Sequence, residues 1–63
     1  MTAAQRAVLA AVREAPHPLT VGALAKRTQR SPSDVGRALT VLEHQGHVER
    51  DHDGSSIVWR VAA

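Results

Sequence analysis

The apolar residues of the chain follow a helical period up to about residue 45 and a period of two after it. The helical part falls into three segments, residues 3–15, 21–28 and 32–45. The stretch Pro16-His17-Pro18 ends the first segment, because proline disfavours helical geometry in the preceding residue and cannot donate a backbone hydrogen bond. The pattern therefore predicts three helices followed by a two-stranded hairpin.

Each predicted helix follows a residue that can cap it. Thr2 and Thr20 precede the first two helices, and their side-chain oxygens can accept backbone N–H groups there. Ser31-Pro32-Ser33-Asp34 is a stronger start, with Ser31 as the cap, proline in the first turn and a carboxylate at the positive end of the helix dipole. We expect Gly46 to end the third helix in the left-handed conformation.

One side of each helix is apolar and is predicted to face a common core. On the third helix these residues fall at i, i+3, i+4 and i+7, the spacing of a buried stripe. They are Val35, Ala38, Leu39 and Leu42. The corresponding residues are Val8, Ala11, Val12 and Ala15 on the first helix, and Leu24 and Ala25 on the second.

The hairpin has a strong turn signal at Asp53-Gly54, a sequence typical of a two-residue primed turn. Pairing outward from that turn places Asp51 opposite Ser56, Arg50 opposite Ile57, and Val48 opposite Trp59. We expect Trp59, the only aromatic residue, to be the main core residue under the sheet, on one face with Ile57 and Val61. Stacking on a nucleic-acid base is the alternative for this side chain.

The size and composition limit the kind of protein. The 63 residues suffice for a single domain, residues 1–63, of the α+β class. Its apolar side chains are mostly Ala, Val and Leu, which leaves no room for a deep pocket and argues against an enzyme or a bound cofactor. There is no cysteine, signal peptide or membrane-spanning run, so we expect a cytoplasmic protein with no membrane partner.

Metal binding and nucleophilic catalysis find no support in the sequence. Among the four histidines, His44 and His47 are three apart, but Gly46 breaks the helix between them and no carboxylate or cysteine completes a ligand set. No Ser–His–Asp arrangement is present, because Ser55 and Ser56 belong with their neighbours to a turn. The net charge is only +2, and arginine predominates over lysine in an alanine-rich chain, as in bacteria with GC-rich genomes.

The whole chain resembles the winged helix-turn-helix superfamily, of the kind found in MarR-type and ArsR-type repressors. The motifs that carry the resemblance are Leu24-Ala25-Lys26-Arg27, Ser31-Pro32-Ser33-Asp34-Val35, Leu39-Thr40-Val41-Leu42-Glu43 and Gly46-His47-Val48-Glu49-Arg50. The resemblance implies a three-helix bundle with a C-terminal β-hairpin, the wing. It also implies that the helix of residues 32–45 enters the major groove of DNA while the wing lies on the flanking backbone or minor groove.

Several residues depart from the pattern of that superfamily. Thr28 and Arg30 replace apolar residues, Gln29 replaces the usual turn glycine, and His47 replaces an apolar residue before the first strand. The tip of the wing, Asp51-His52-Asp53, is acidic where these proteins often have Arg or Lys. Phosphate repels such a tip, so we do not expect this wing to insert deeply into the minor groove.

The third helix supplies the candidate base-reading residues Ser33, Arg37, Thr40 and His44. Arginine can bridge guanine O6 and N7, the commonest specific base contact. The alternative for Arg37 is an ordinary solvated side chain paired with a nearby acid such as Asp34. Gly36 costs about 1 kcal/mol inside a helix, and either a close approach of DNA or a packing contact with the preceding helix explains it.

The candidate phosphate-contacting residues are Lys26, Arg27, Arg30, Ser31 and Arg50. The first four surround the turn between the second and third helices, where the amides at the start of the third helix also favour an anion. The alternative is a solvated charged surface without a ligand.

The sequence thus predicts sequence-specific binding of double-stranded DNA, in a bacterial transcriptional regulator. Two alternatives stay open: a DNA-reading module of a larger protein, such as a DNA translocase of the FtsK type, and a winged helix used for protein–protein interaction. Repressors of this kind normally dimerise through long extra helices that this chain lacks, so a homodimer and attachment to a larger protein are both compatible with the sequence.

Overall fold

A computed structural model describes all residues from Met1 to Ala63 and contains three helices and one hairpin. The helices are α1 (Ala3–Glu14), α2 (Val21–Thr28) and α3 (Pro32–His44), and the strands are β1 (Val48–Asp53) and β2 (Ser56–Val61). The predicted α+β class and the order of elements are confirmed. None of the three helices combines the length and the hydropathy that crossing a bilayer requires.

All three predicted N-caps are confirmed. The Thr2 hydroxyl accepts the Gln5 amide at 3.1 Å while the Gln5 side chain accepts the Thr2 amide at 3.1 Å, which forms a capping box. Thr20 and Ser31 each accept the amide three residues further on, at 3.2 Å and 3.1 Å. These contacts are local in sequence, so the helix starts follow from residue types alone.

The helix ends differ in how they reach the left-handed conformation. Gly46, with φ of 79°, ends α3 as predicted, and the amides of Gly46 and His47 bond back to the carbonyls of Glu43 and Leu42 in a Schellman motif. At the end of α2 the left-handed residue is Gln29, with φ of 55° and ψ of 40°. It is the one non-glycine residue with positive φ, so this turn is strained where a glycine would relax it.

The core lies where the inner sides of the three helices meet the base of the hairpin. All four predicted residues of α3 are buried, as are Leu24 and Ala25 of α2. On α1 the buried residues are Val8, Leu9 and Val12, whereas Ala11 and Ala15 are only partly buried against the cluster. Leu9 does not belong to the predicted stripe of α1, because the buried face of this helix is rotated away from Ala11 and Ala15 and towards Leu9.

The predicted register of the hairpin is wrong by two residues. Asp53 pairs with Ser56, so that Gly54 and Ser55 form the two-residue turn, and Arg50 pairs with Trp59. Gly54 has φ of 65° whereas Asp53 does not have positive φ. A glycine in the first central position is the pattern of a type II′ turn, and with this register Asp53 lies in the strand instead of in the centre of the turn, where the sequence placed it.

Trp59 is a core residue as predicted, but its two apolar companions are not. Trp59 is 6% exposed, whereas Ile57 and Val61 are each 43% exposed. Ile57 pairs with His52 near the turn, and neither Ile57 nor Val61 belongs to the buried cluster, although Val48 opposite Val61 does. Val58, on the opposite face, is buried instead, in a shallow groove that it shares with His17 and Pro18.

Leu19 adds a third, single-residue strand to the hairpin. Its amide donates to the Trp59 carbonyl at 3.1 Å and its carbonyl accepts the Trp59 amide at 2.8 Å. This pairing confirms the extended segment expected between α1 and α2. It ties the base of the hairpin to the helices, so the wing has a fixed origin relative to α3.

Candidate nucleic-acid interface

The outward side of α3 presents a continuous row of polar side chains. Ser33, Arg37, Thr40 and His44 are all exposed, and they lie opposite the buried stripe of the same helix. Their spacing of four, three and four residues keeps them on one face. The structure therefore brings together all four candidate base-reading residues, because burial of the stripe leaves α3 one possible rotation.

Arg37 places the one guanidinium of this face in solvent. Its side chain is 79% exposed, and its one acidic neighbour is Asp34, at 3.8 Å between Nη1 and Oδ1. That distance is too long for a hydrogen bond, so the donors of the guanidinium stay available. Thr40 is exposed and donates its hydroxyl to the Gly36 carbonyl at 3.0 Å, which leaves the hydroxyl oxygen free to accept a hydrogen bond.

Gly36 is not explained by packing within the chain. A Cβ added at this position would have no heavy atom of another element within 4 Å. Of the two explanations given above, the contact with the preceding helix is therefore excluded. The close approach of DNA at Gly36 stays a prediction.

The turn between α2 and α3 carries a group of cations without carboxylate partners. Lys26 and Arg27 are exposed at the end of α2, and neither they nor Arg30 forms an ion pair. Arg27 lines a shallow groove between α1 and α2, whereas Arg30 is half-buried with an Nε that has no hydrogen-bond partner. The Ser31 hydroxyl is occupied as the N-cap of α3.

Arg50 differs from these cations because its guanidinium contacts both a carboxylate and an aromatic ring. Its Nε and Nη2 donate to Oε2 and Oε1 of Glu43 at 3.0 Å and 2.9 Å, and its guanidinium lies 5.0 Å from the centroid of the Trp59 ring. The hydrogen bond from Arg50 lowers the pKa of Glu43, and the same contact raises the pKa of Arg50. Both groups therefore stay charged near neutral pH. The sequence alone does not indicate this pair, since Glu43 and Arg50 belong to different elements.

The outer face of the wing has its own ion pairs. Arg60 contacts Glu49 at 2.9 Å and Asp51 at 3.7 Å, so this arginine does not extend the cationic surface. Asp51, His52 and Asp53 are all exposed at the tip. No group of three or more His, Cys, Asp or Glu side chains is arranged to hold a metal ion.

Solved structures with the same architecture include a protein bound to DNA, a transcriptional regulator and part of a human methyltransferase. ZitR of Lactococcus lactis in complex with DNA has a TM-score of 0.83 and 23% identity, over 98% of this chain and 43% of that chain. PcaV of Streptomyces coelicolor, a transcriptional regulator in complex with its natural ligand, has a TM-score of 0.89 and 23% identity, over 98% of this chain and 45% of that chain. The homodimeric winged helix-turn-helix domain Mb0332 of Mycobacterium bovis has a TM-score of 0.82 and 22% identity, over 95% of this chain and 54% of that chain.

These identities establish a common fold and nothing finer. The chain spans less than half the length of ZitR and of PcaV, and no curated protein matches it in sequence. The family comes from the sequence itself, since the model of the MarR family matches residues 1–55, which include all three helices and the first strand of the wing. The chain therefore belongs to the MarR family, with the winged helix-turn-helix fold.

Proposed function

We propose that the chain binds double-stranded DNA with α3 in the major groove, as the DNA-reading part of a bacterial transcriptional regulator that acts in the cytoplasm. The observation that carries the proposal is the exposed polar face of α3, opposite a fully buried stripe. Membership of the MarR family supports it, as does the similarity in fold to ZitR, whose structure includes DNA.

Arg37 is the main base-reading residue in this proposal. Its long contact with Asp34 leaves the planar guanidinium free to bridge O6 and N7 of a guanine. Ser33, Thr40 and His44 complete the reading face: the hydroxyls and the imidazole supply donors and acceptors, and the Thr40 methyl suits a thymine methyl. Gly36 allows the duplex to approach between these side chains.

Phosphate contacts in this proposal come from the turn between α2 and α3. Lys26, Arg27 and Arg30 form no ion pair within the chain, and Ser31 lies at the N-terminus of α3, where backbone amides favour an anion. Such contacts release counterions, so the logarithm of the affinity falls by about 0.9 per phosphate for each unit of log salt concentration. Arg50, the fifth candidate, already donates two hydrogen bonds to Glu43.

The test is a selection of duplexes from a random library, followed by titration of the selected and of a scrambled duplex. We expect Arg37→Ala to reduce the ratio of the two affinities by about 1–3 kcal/mol, roughly five- to 150-fold, because it removes one bidentate base contact. Arg13→Ala is the matched control, since this substitution removes the same charge from an exposed position on α1. An unchanged ratio for Arg37→Ala would show that α3 is not the reading helix.

Two further measurements separate this proposal from its alternatives. Absence of any retardation of mixed duplexes at low salt would favour a protein partner, for which the acidic tip of the wing is the natural charged surface. Sedimentation with and without the selected duplex distinguishes a free homodimer from a module of a larger DNA-handling protein. A stable dimer in the absence of DNA would disfavour the module.

A further inference from the structure

One guanidinium joins the reading helix to the wing. Arg50 leaves β1 on the face that carries Trp59, its partner in the ladder, and reaches back to Glu43 in the last turn of α3. The backbone of Trp59 also forms hydrogen bonds with Leu19, on the edge of β2 that faces away from β1. Arg50 therefore contacts α3 through an ion pair and β2 through an aromatic ring, while its own backbone belongs to β1.

This contact is the only ion pair or side-chain hydrogen bond between the wing and a helix, and one step further out Val58 is buried in a groove shared with His17 and Pro18. Val48, at the base of β1, is fully buried, whereas every residue from 51 to 57 is exposed. Between Glu43 and Val48 the chain passes through the Gly46 turn, which alone does not fix the direction of the hairpin. The Leu19–Trp59 bridge holds the hairpin on the side of β2, and the Arg50–Glu43 contact holds β1 against the last turn of α3.

The charge of Arg50 is already compensated. Lys26, Arg27 and Arg30 have no carboxylate within ion-pair distance, but Arg50 makes two charge-assisted hydrogen bonds to a single one. Planar, bidentate geometry of this kind is specific to arginine. To bind a phosphate through Nε and Nη2, Arg50 must give up its hydrogen bonds to Glu43.

We propose that Arg50 is a positioning residue of the DNA interface, which sets the angle of the wing to α3 through Glu43 and Trp59 instead of neutralising a phosphate. This inference rests on the proposed DNA binding. It assigns a function to Glu43, a carboxylate that otherwise only opposes an anionic ligand.

The decisive variant is Glu43→Gln, because the two roles of Arg50 predict opposite effects. If Arg50 contacts a phosphate, removal of the competing carboxylate raises the affinity for a mixed-sequence duplex. If Arg50 positions the wing, the same change lowers the affinity by about two- to fivefold, the range for loss of an exposed ion pair. Glu49→Gln is the matched control, since it removes an equal charge from β1 but contacts Arg60 on the other face of the wing.

Arg50→Gln adds a second distinction through salt. We expect it to weaken binding while the slope of log affinity against log salt stays that of the unaltered chain, whereas loss of a phosphate contact reduces the slope by about one. The paired reversal Glu43→Arg with Arg50→Glu should recover affinity only if the two residues act on each other. Without DNA, the fluorescence of Trp59 should change in Glu43→Gln and Arg50→Gln and not in Glu49→Gln, and circular dichroism confirms that each variant is folded.

The outcomes separate this inference from the function on which it rests. An unaltered chain that binds no duplex at any salt concentration refutes the proposed function and this inference with it. Binding by the unaltered chain, together with a Glu43→Gln variant that binds as tightly as Glu49→Gln or more tightly, refutes the positioning role alone. A reduced salt slope in Arg50→Gln would return Arg50 to the phosphate-contacting residues.

Discussion

Gln29→Gly is expected to stabilise the chain, although it removes a side chain from the helix-turn-helix. Gln29 has φ of 55° and ψ of 40°, and its amide bonds back to the Ala25 carbonyl at the end of α2. An L-residue in this conformation costs about 1–2 kcal/mol, of which the greater freedom of glycine in the unfolded chain offsets about 0.5–1 kcal/mol. The net expectation is a gain of about 0.5–1 kcal/mol.

The chain supplies a matched control for this prediction. Gln45 is also an exposed glutamine at the end of a helix, but with φ of −83° and ψ of −2° it lies in the right-handed region. Neither glutamine side chain makes a hydrogen bond within the chain. Gln45→Gly therefore brings only the entropic cost of glycine and should lower stability by about 0.5–1 kcal/mol.

Urea unfolding followed by the fluorescence of Trp59 measures both variants. With a slope of about 1 kcal/mol per molar urea for so small a domain, the midpoint should rise by about 0.5–1 M for Gln29→Gly and fall by a similar amount for Gln45→Gly. In thermal unfolding, 1 kcal/mol corresponds to about 4–8 °C at this size. If both variants lose stability equally, the strain attributed to the turn between α2 and α3 does not exist.

Three further predictions concern the core, the reading face and the response to acid. Leu39→Ala should cost about 2–5 kcal/mol in urea unfolding because it leaves a cavity, whereas Val41→Ala on the exposed side should cost less than about 0.5 kcal/mol. Gly36→Ala should raise helix stability by about 1 kcal/mol yet weaken binding to the selected duplex, and tighter binding would show that no ligand approaches there. The hydrogen bond from Arg50 lowers the pKa of Glu43, so on acidification the unfolded chain protonates at Glu43 before the folded chain does. The stabilisation from this contact is therefore present above the ordinary pKa of 4.5 and is lost as pH falls through the lowered pKa. Urea midpoints should therefore fall less on acidification in Glu43→Gln than in the unaltered chain, and equal slopes would contradict the pairing.

Helix boundaries and the rotation of α3 were predictable because they depend on contacts within a few residues. The caps at Thr2, Thr20 and Ser31 bond to amides three residues on, and the buried stripe of α3 follows from its spacing. The same rotation places Ser33, Arg37, Thr40 and His44 outside. The candidate reading face was therefore available from the pattern of α3 alone.

The hairpin shows where local information ends. Asp53-Gly54 correctly marks the turn, but whether this pair or Gly54-Ser55 occupies its centre depends on the whole ladder, including the bridge from Leu19 to Trp59. Because the error is two residues, each side chain keeps its face of the sheet. Only the partners change, and it is this change that places Arg50 against Trp59.

What the sequence by itself determined is therefore the class of fold, the elements and the outward face of α3. Only the tertiary structure decided that Ile57 is exposed and Val58 covered, and that Arg50 is held by Glu43 while Lys26 and the two arginines after it remain unpaired. The physical reason is the range of the interactions. Capping and periodicity act within one helix, whereas register, ion pairing and coverage depend on distances between elements that the chain brings together only on folding.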